Sequence, residues 1–92
     1  MSLELIFDGR AATDLRDLPR QVQEAVWRRL QDLKQNPQGL HTSALKGNLR
    51  GLRRLRIGDY RVAYCVDDEA VRVLAVGHRS RFYEITKRRL GP

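Results

Sequence analysis

Leu52-Arg53-Arg54-Leu55-Arg56-Ile57-Gly58-Asp59-Tyr60-Arg61-Val62-Ala63-Tyr64-Cys65-Val66 is the stretch that decides the fold. Two apolar-rich runs, 52–57 and 60–66, flank Gly58-Asp59, a pair suited to a tight two-residue turn. A connection that short joins antiparallel strands only. Side chains alternate across a strand. Leu55 and Ile57 therefore share one face, and Arg54 and Arg56 the other. In the second run Tyr60, Val62, Tyr64 and Val66 share a face, and Arg61 points away from them. With the apolar faces turned to a core, Arg54, Arg56 and Arg61 converge on the opposite, open face.

Working outward, Asp67-Asp68-Glu69 reads as a second tight turn into a third strand over 71–76, ended by Gly77. His78 and Arg79 follow it and reach its rim. Residues 80–89 read as a short, basic terminal helix. Upstream, residues 38–50 read as loop, with Leu45 anchored in the core. Residues 3–7 read as a first strand. Asp8 then caps a short helix through Ala11, Ala12 and Leu15. Leu18-Pro19 interrupts it, because the residue before proline avoids the helical region. Pro19 suits the first turn of the next helix. There Val22, Ala25, Val26, Leu30 and Leu33 form one stripe at helical spacing, bordered by Trp27, which is assigned to the core. Asn36-Pro37-Gln38-Gly39 stops that helix. The expected fold is α+β. Two N-terminal helices pack on one face of a four-stranded antiparallel sheet, in the order β-α-α-β-β-β, with a short C-terminal helix.

The 92 residues suit one domain, 1–92. No apolar run is long enough to cross a bilayer, and the opening residues lack the pattern of a secretory signal. A lone cysteine, Cys65, excludes an intramolecular disulfide and a Cys-cluster zinc site. These features suggest a reduced, cytoplasmic protein with no membrane partner, and no metal or other cofactor is expected. Tyr60, Tyr64 and Cys65 read as core or sheet-face fillers. His41 sits in the loop and is assigned no role.

The charge is segregated. Residues 1–37 hold six basic and six acidic side chains, whereas residues 38–92 hold 12 basic and 5 acidic ones, the source of the net +7. The front half reads as a balanced scaffold and the back half as a basic surface. Of the 18 basic residues 15 are arginine, whose planar fork suits phosphate. Such a surface fits a polyanion: RNA, DNA or an acidic protein. Arg53, Arg54 and Arg56 also fit a solvated edge that discourages strand pairing, and His78 fits a structural role.

No Ser-His-Asp order, phosphate-cradling glycine loop or carboxylate pair stands out. What remains is the arginine cluster with His78, Tyr83 and Tyr60 nearby. That set suits cleavage of RNA by its own 2′-OH. The reaction builds charge on the phosphate oxygens, which fixed guanidinium groups stabilise. His78 is the strand-proximal group able to move protons near neutral pH. Tyr83 can stack on an unpaired base.

The stretch from Leu45-Lys46-Gly47 through Arg56-Ile57-Gly58-Asp59-Tyr60-Arg61-Val62-Ala63-Tyr64, with Val76-Gly77-His78-Arg79 and Phe82-Tyr83-Glu84, closely resembles the RelE/ParE superfamily of toxins from toxin–antitoxin pairs. The resemblance spans nearly the whole chain. It implies a toxin that enters the ribosomal A site and cleaves mRNA there, leaving a cyclic phosphate and a free 5′-OH. It implies catalytic roles for Arg61 as a transition-state clamp, for the basic pair His78 and Arg79, and for Tyr83 as the C-terminal tyrosine. RNA contacts are assigned to Lys46, Arg50, Arg53, Arg54, Arg56 and Arg81. Arg54 and Arg56 stand where some relatives have lysine, and arginine holds its proton too tightly to act as a base. Proton transfer then falls to His78 or Tyr83, or charge stabilisation carries most of the rate. The resemblance also implies a cognate antitoxin, with operator DNA bound only through that antitoxin. Two other readings stay open: a ParE-like inhibitor of DNA gyrase on the same fold, and an inactive RNA- or protein-binding relative.

Overall fold

A computed structural model of the chain describes residues 3–90. Its elements are β1 (Glu4–Phe7), α1 (Gly9–Arg16), α2 (Arg20–Gln35), β2 (Thr42–Ala44), a 3-10 turn (Gly47–Leu49), β3 (Arg53–Ile57), β4 (Tyr60–Val66), β5 (Ala70–His78) and α3 (Phe82–Leu90). The α+β class and the order of the long elements match the sequence reading. The sheet, however, has five strands, in the order β1-β5-β4-β3-β2. The extra strand is β2, three residues long and paired antiparallel with β3, Thr42 opposite Leu55. Nor is the sheet wholly antiparallel, since β1 lies parallel to β5 with Leu5 opposite Val71. Two helices separate β1 from the rest, so no tight turn dictates its direction.

The central hairpin forms as its alternation predicts. Leu55 pairs with Val62, and Arg56 with Arg61, around a turn in which Gly58 takes φ +56°. That left-handed conformation favours glycine. Between β4 and β5 the register shifts at Ala63/Tyr64, so that Ala63 opposes Ala75 and Tyr64 opposes Val73. Leu74 is thereby the extra residue of a bulge. The shift keeps Val73 and Val76 on the same buried face as Val62 and Tyr64.

Asp8 caps α1 by accepting from the Arg10 N–H at 2.9 Å. That hydrogen bond, then the Arg10 side chain, holds the Asp8 carboxyl below its usual range. Pro19 stands at the N-cap of α2 rather than in its first turn, and its carbonyl accepts from Gln23. The α2 stripe buries Val26, Leu30 and Leu33 against Leu55, Val62, Tyr64, Val71 and Val73. Trp27 is not core. It is 50% exposed and stacks on Phe7 with ring centroids 6.2 Å apart. One step of about 100° from Val26 carries it off the stripe. Leu49, rather than Leu45, is the buried anchor of the segment before β3.

The second sheet face is not wholly open. The terminal helix α3 is complete over nine residues, and its Phe82 and Ile85 pack on Ala63 and Ala75. Small residues let it approach: a Cβ at Gly77 would lie 3.5 Å from Ile85 Cδ1. Its far end is held by Arg89, which donates to Asp14 Oδ2 at 2.7 Å and to the Leu74 carbonyl at 3.1 Å. Asp14 also accepts from the Val76 N–H at 3.0 Å. Together they bridge α1 and α3 along the part of β5 that lies beyond β1.

Candidate functional site

Arg54, Arg56 and Arg61 share the sheet face beside α3, as the pairings Arg54–Ala63 and Arg56–Arg61 require. Arg54 donates through Nη1 to Tyr83 Oη at 2.7 Å. Tyr83, 42% exposed, stands edge-on to Phe82 with centroids 5.0 Å apart. Because its oxygen accepts from Arg54, its own O–H is available to a ligand. Arg54 Nε is buried without a hydrogen-bond partner among the described residues. A buried donor left without any partner costs about 1–3 kcal/mol.

Arg61 is anchored by its own turn, donating from Nη1 to the Gly58 carbonyl at 2.8 Å and to the Tyr60 carbonyl at 2.9 Å. Burial lowers its pKa from the ordinary arginine value, and the charges of Arg54, Arg56 and Arg79 lower it further. Like charges crowded this way favour a bound anion. Arg79 meets the same turn, its N–H donating to the Asp59 carbonyl at 2.7 Å and its Nε lying 3.8 Å from Asp59 Oδ1. A cleft of about 410 Å³ opens between the 3-10 turn and α3, with Arg54, Tyr83, Lys46 and Lys87 among its walls. Arg54, Arg56, Arg61, Arg79, Tyr83 and Lys46 therefore gather around one basic surface.

Four sequence-predicted residues stand elsewhere. Arg53 lies on the Leu55 face, where it donates to Tyr64 Oη at 3.3 Å and Thr42 Oγ1 at 2.9 Å. The Tyr64 hydroxyl in turn donates to the Pro37 carbonyl at 2.6 Å, so Arg53 braces the core edge. His78 pairs with Tyr60 and takes that residue's side of the sheet, opposite Arg61. Its ring meets Tyr60 edge-on at 5.4 Å, and its Nδ1 accepts from the Ser80 N–H at 3.1 Å. Arg50 is exposed after the 3-10 turn, and Arg81 is exposed just before α3; neither lines the cleft. Two residues were missed. Lys87 lies one helical turn beyond Tyr83, a spacing visible once α3 is taken as a helix. His41, with φ +64°, places its Nδ1 3.1 Å from Arg56 Nη2, and no sequence signal marks it.

Among the described residues no group of three or more His, Cys, Asp or Glu side chains gathers to hold a metal. No described helix is long and apolar enough to cross a membrane. The arrangement can bind phosphate and stabilise charge developing on it.

This helix-backed sheet is the fold of a class of small bacterial and archaeal toxins. The family model described as the ParE toxin of the type II toxin-antitoxin system parDE matches residues 5–83, and the chain belongs to this RelE/ParE superfamily. It is 37% identical over 78 residues to Toxin RelE of Mycobacterium tuberculosis, covering 82% of this chain and 79% of that protein. The toxin–antitoxin complex RelBE2 of the same organism is similar at 32% identity and TM-score 0.78, covering 86% of this chain and all (100%) of the matched one. The intact Escherichia coli RelBE complex is similar at 28% identity and TM-score 0.72, covering 84% and 96%. The chain is thus a type II toxin of the RelE kind.

Proposed function

We propose that the chain is an endoribonuclease that cuts mRNA in the ribosomal A site and is neutralised by a cognate antitoxin. The observation that carries this reading is Arg61, flanked by Arg54, Arg56 and Arg79, on the face where Tyr83 projects. The 2′-OH of one nucleotide attacks the adjacent phosphorus. The P–O bond to the next nucleotide breaks, leaving a 2′,3′-cyclic phosphate and a 5′-OH. Arg61 and Arg54 stabilise the charge that builds on the non-bridging oxygens, and Tyr83 donates the proton taken by the departing 5′-oxygen. Water accepts the proton of the 2′-OH. The RNA contacts fall to Lys46, Arg54 and Arg56, with Lys87 beside them. His78, turned away from this face, orients the Tyr60 side of the hairpin instead.

The toxins of Mycobacterium tuberculosis and Escherichia coli noted above were solved with antitoxins, and an exposed arginine face of this kind suits an acidic or amphipathic antitoxin segment. Mapping mRNA ends in a translating extract tests the reading. Wild-type protein yields new 5′-OH ends within codons, and Arg61→Ala yields none; uncut transcripts with wild-type protein overturn it. The ParE description of the family model supports a second reading, inhibition of DNA gyrase. Broken chromosomes with intact transcripts after induction select that one.

A further inference from the structure

The basic surface continues around the β3–β4 turn into a cavity of about 500 Å³ whose α2 and His41 walls no role above uses. Its walls bring Arg28 and Arg29 of α2 together with His41, Arg56, Arg61 and Arg79. By sequence the two α2 arginines belong to the balanced half of the chain; the fold moves them to the basic one. Among the described residues, Arg28, Arg56 and Arg61 take part in no ion pair. Asp59 is the single carboxylate of the cavity wall, and Arg79 already faces it at 3.8 Å. Arg29 lies 3.8 Å from Asp32 on its own helix, so the cavity concentrates positive charge that carboxylates compensate only in part, held by defined contacts. Arg29 is fixed by donating to the Leu40 carbonyl at 3.1 Å. His41 keeps a left-handed backbone, a strained state for a residue with a side chain, and its Nδ1 accepts from Arg56. A guanidinium only donates, so the ring's proton sits on Nε2, a further donor for an anion.

We infer that this cavity is a second phosphate subsite, in which Arg28, Arg29, Arg56 and His41 hold a backbone phosphate of the RNA strand lying across Arg54 and Arg61. The inference rests on the nuclease reading for the identity of that strand. Continuity favours RNA over an acidic peptide. Arg56, Arg61 and Arg79 belong both to the cavity and to the face over which the scissile phosphate sits, so a strand crossing one enters the other. The subsite would fix the register of the strand at a distance from the chemistry, and binding away from the reacting bond is what sets substrate position.

The test uses a short single-stranded 2′-O-methyl RNA, which lacks the attacking hydroxyl, and fluorescence anisotropy across a salt series. Each lost phosphate contact on a single strand flattens the plot of log K against log salt by about 0.7. Arg28→Gln and Arg29→Gln should each flatten it by about that much relative to Arg20→Gln. Arg20 is the control, since it is on the same helix, carries the same charge and is exposed outside the cavity. Slopes matching Arg20→Gln overturn the inference. So does a result in which Arg28→Gln, which unlike Arg29→Gln leaves the hydrogen bond to the Leu40 carbonyl in place, weakens only the binding of an acidic antitoxin peptide. The nuclease reading fails separately, if wild-type protein leaves mRNA uncut on ribosomes, and the slope comparison does not depend on cleavage.

Discussion

Arg54 Nη1 donates to Tyr83 Oη at 2.7 Å, a bond between a central strand and the terminal helix across 29 residues of chain. The guanidinium floor of the cleft and the hydroxyl at its wall are thus set by one contact. The strand supplies charge and the helix supplies a hydroxyl, so each depends on how α3 sits on the sheet.

Tyr83→Phe removes the hydroxyl and leaves the ring on Phe82. If Tyr83 protonates the leaving oxygen, cleavage on ribosomes should fall by about 100-fold or more, with far-UV circular dichroism unchanged. Retained cleavage would assign Tyr83 to base stacking alone.

The bridge between Asp14 and Arg89 offers a second test. Both side chains are mostly buried, at 17% and 15% exposure. Asp14→Ala strands the Val76 N–H as well as Arg89, and breaking a largely buried pair should cost about 2–4 kcal/mol in urea unfolding. A double-mutant cycle with Arg89→Met should return a coupling of about 1–3 kcal/mol. Additive single losses would show that the two residues act independently.

The sequence shows the hairpin and α2 clearly because each has one apolar side against one polar side. Leu55 against Arg54, and Val26 against Arg28, declare their faces without help from the rest of the chain. The elements that escape it lack such contrast. The strand β2 is three residues at a sheet edge, and β1 takes its direction from packing rather than from a turn. The bulge at Leu74 is a matter of register. The site follows the same division. Arg54, Arg56 and Arg61 are legible from alternation, whereas Arg53 shares the parity of Leu55 and goes with it to the core side. His78 is misplaced because the sequence reads it as following the strand, whereas β5 runs on through it and its pairing with Tyr60 sets its side. His41 becomes visible only when the chain closes on Arg56.

Gly77 tests how α3 is seated. Its added Cβ would meet Ile85 at an ordinary contact distance, 3.5 Å, so Gly77→Ala should fold and cleave like wild type. Gly77→Leu has no room without lifting the helix, and overpacking of that kind should cost about 1–3 kcal/mol. Lifting α3 also withdraws Tyr83 from Arg54. The leucine variant should therefore lose cleavage at temperatures where it remains folded, a result that calorimetry and transcript mapping on the same sample would show.

Acid sensitivity should trace to the turn between β4 and β5. The Asp67 carboxyl is lowered to about 2, first by its hydrogen bond from Arg72 Nε and then by the N–H groups of Glu69 and Ala70. Its folded pKa lies below the ordinary 3.8, so the folded state favours the ionised form. The stabilisation is therefore complete above the ordinary carboxylate pKa and fades as pH falls toward 2. Asp8, lowered by the cap of α1, acts with the same sign. Asp67→Asn should melt below wild type at pH 7, and the gap should narrow steadily on acidification and close near the lowest pH. Both carboxylates are surface groups, so salt should shrink the Arg72 contribution while sparing the two backbone hydrogen bonds to Asp67 Oδ1. A gap that stayed constant from neutral to acid pH would mean that the turn is held by its backbone shape, with the Asp67 charge contributing nothing.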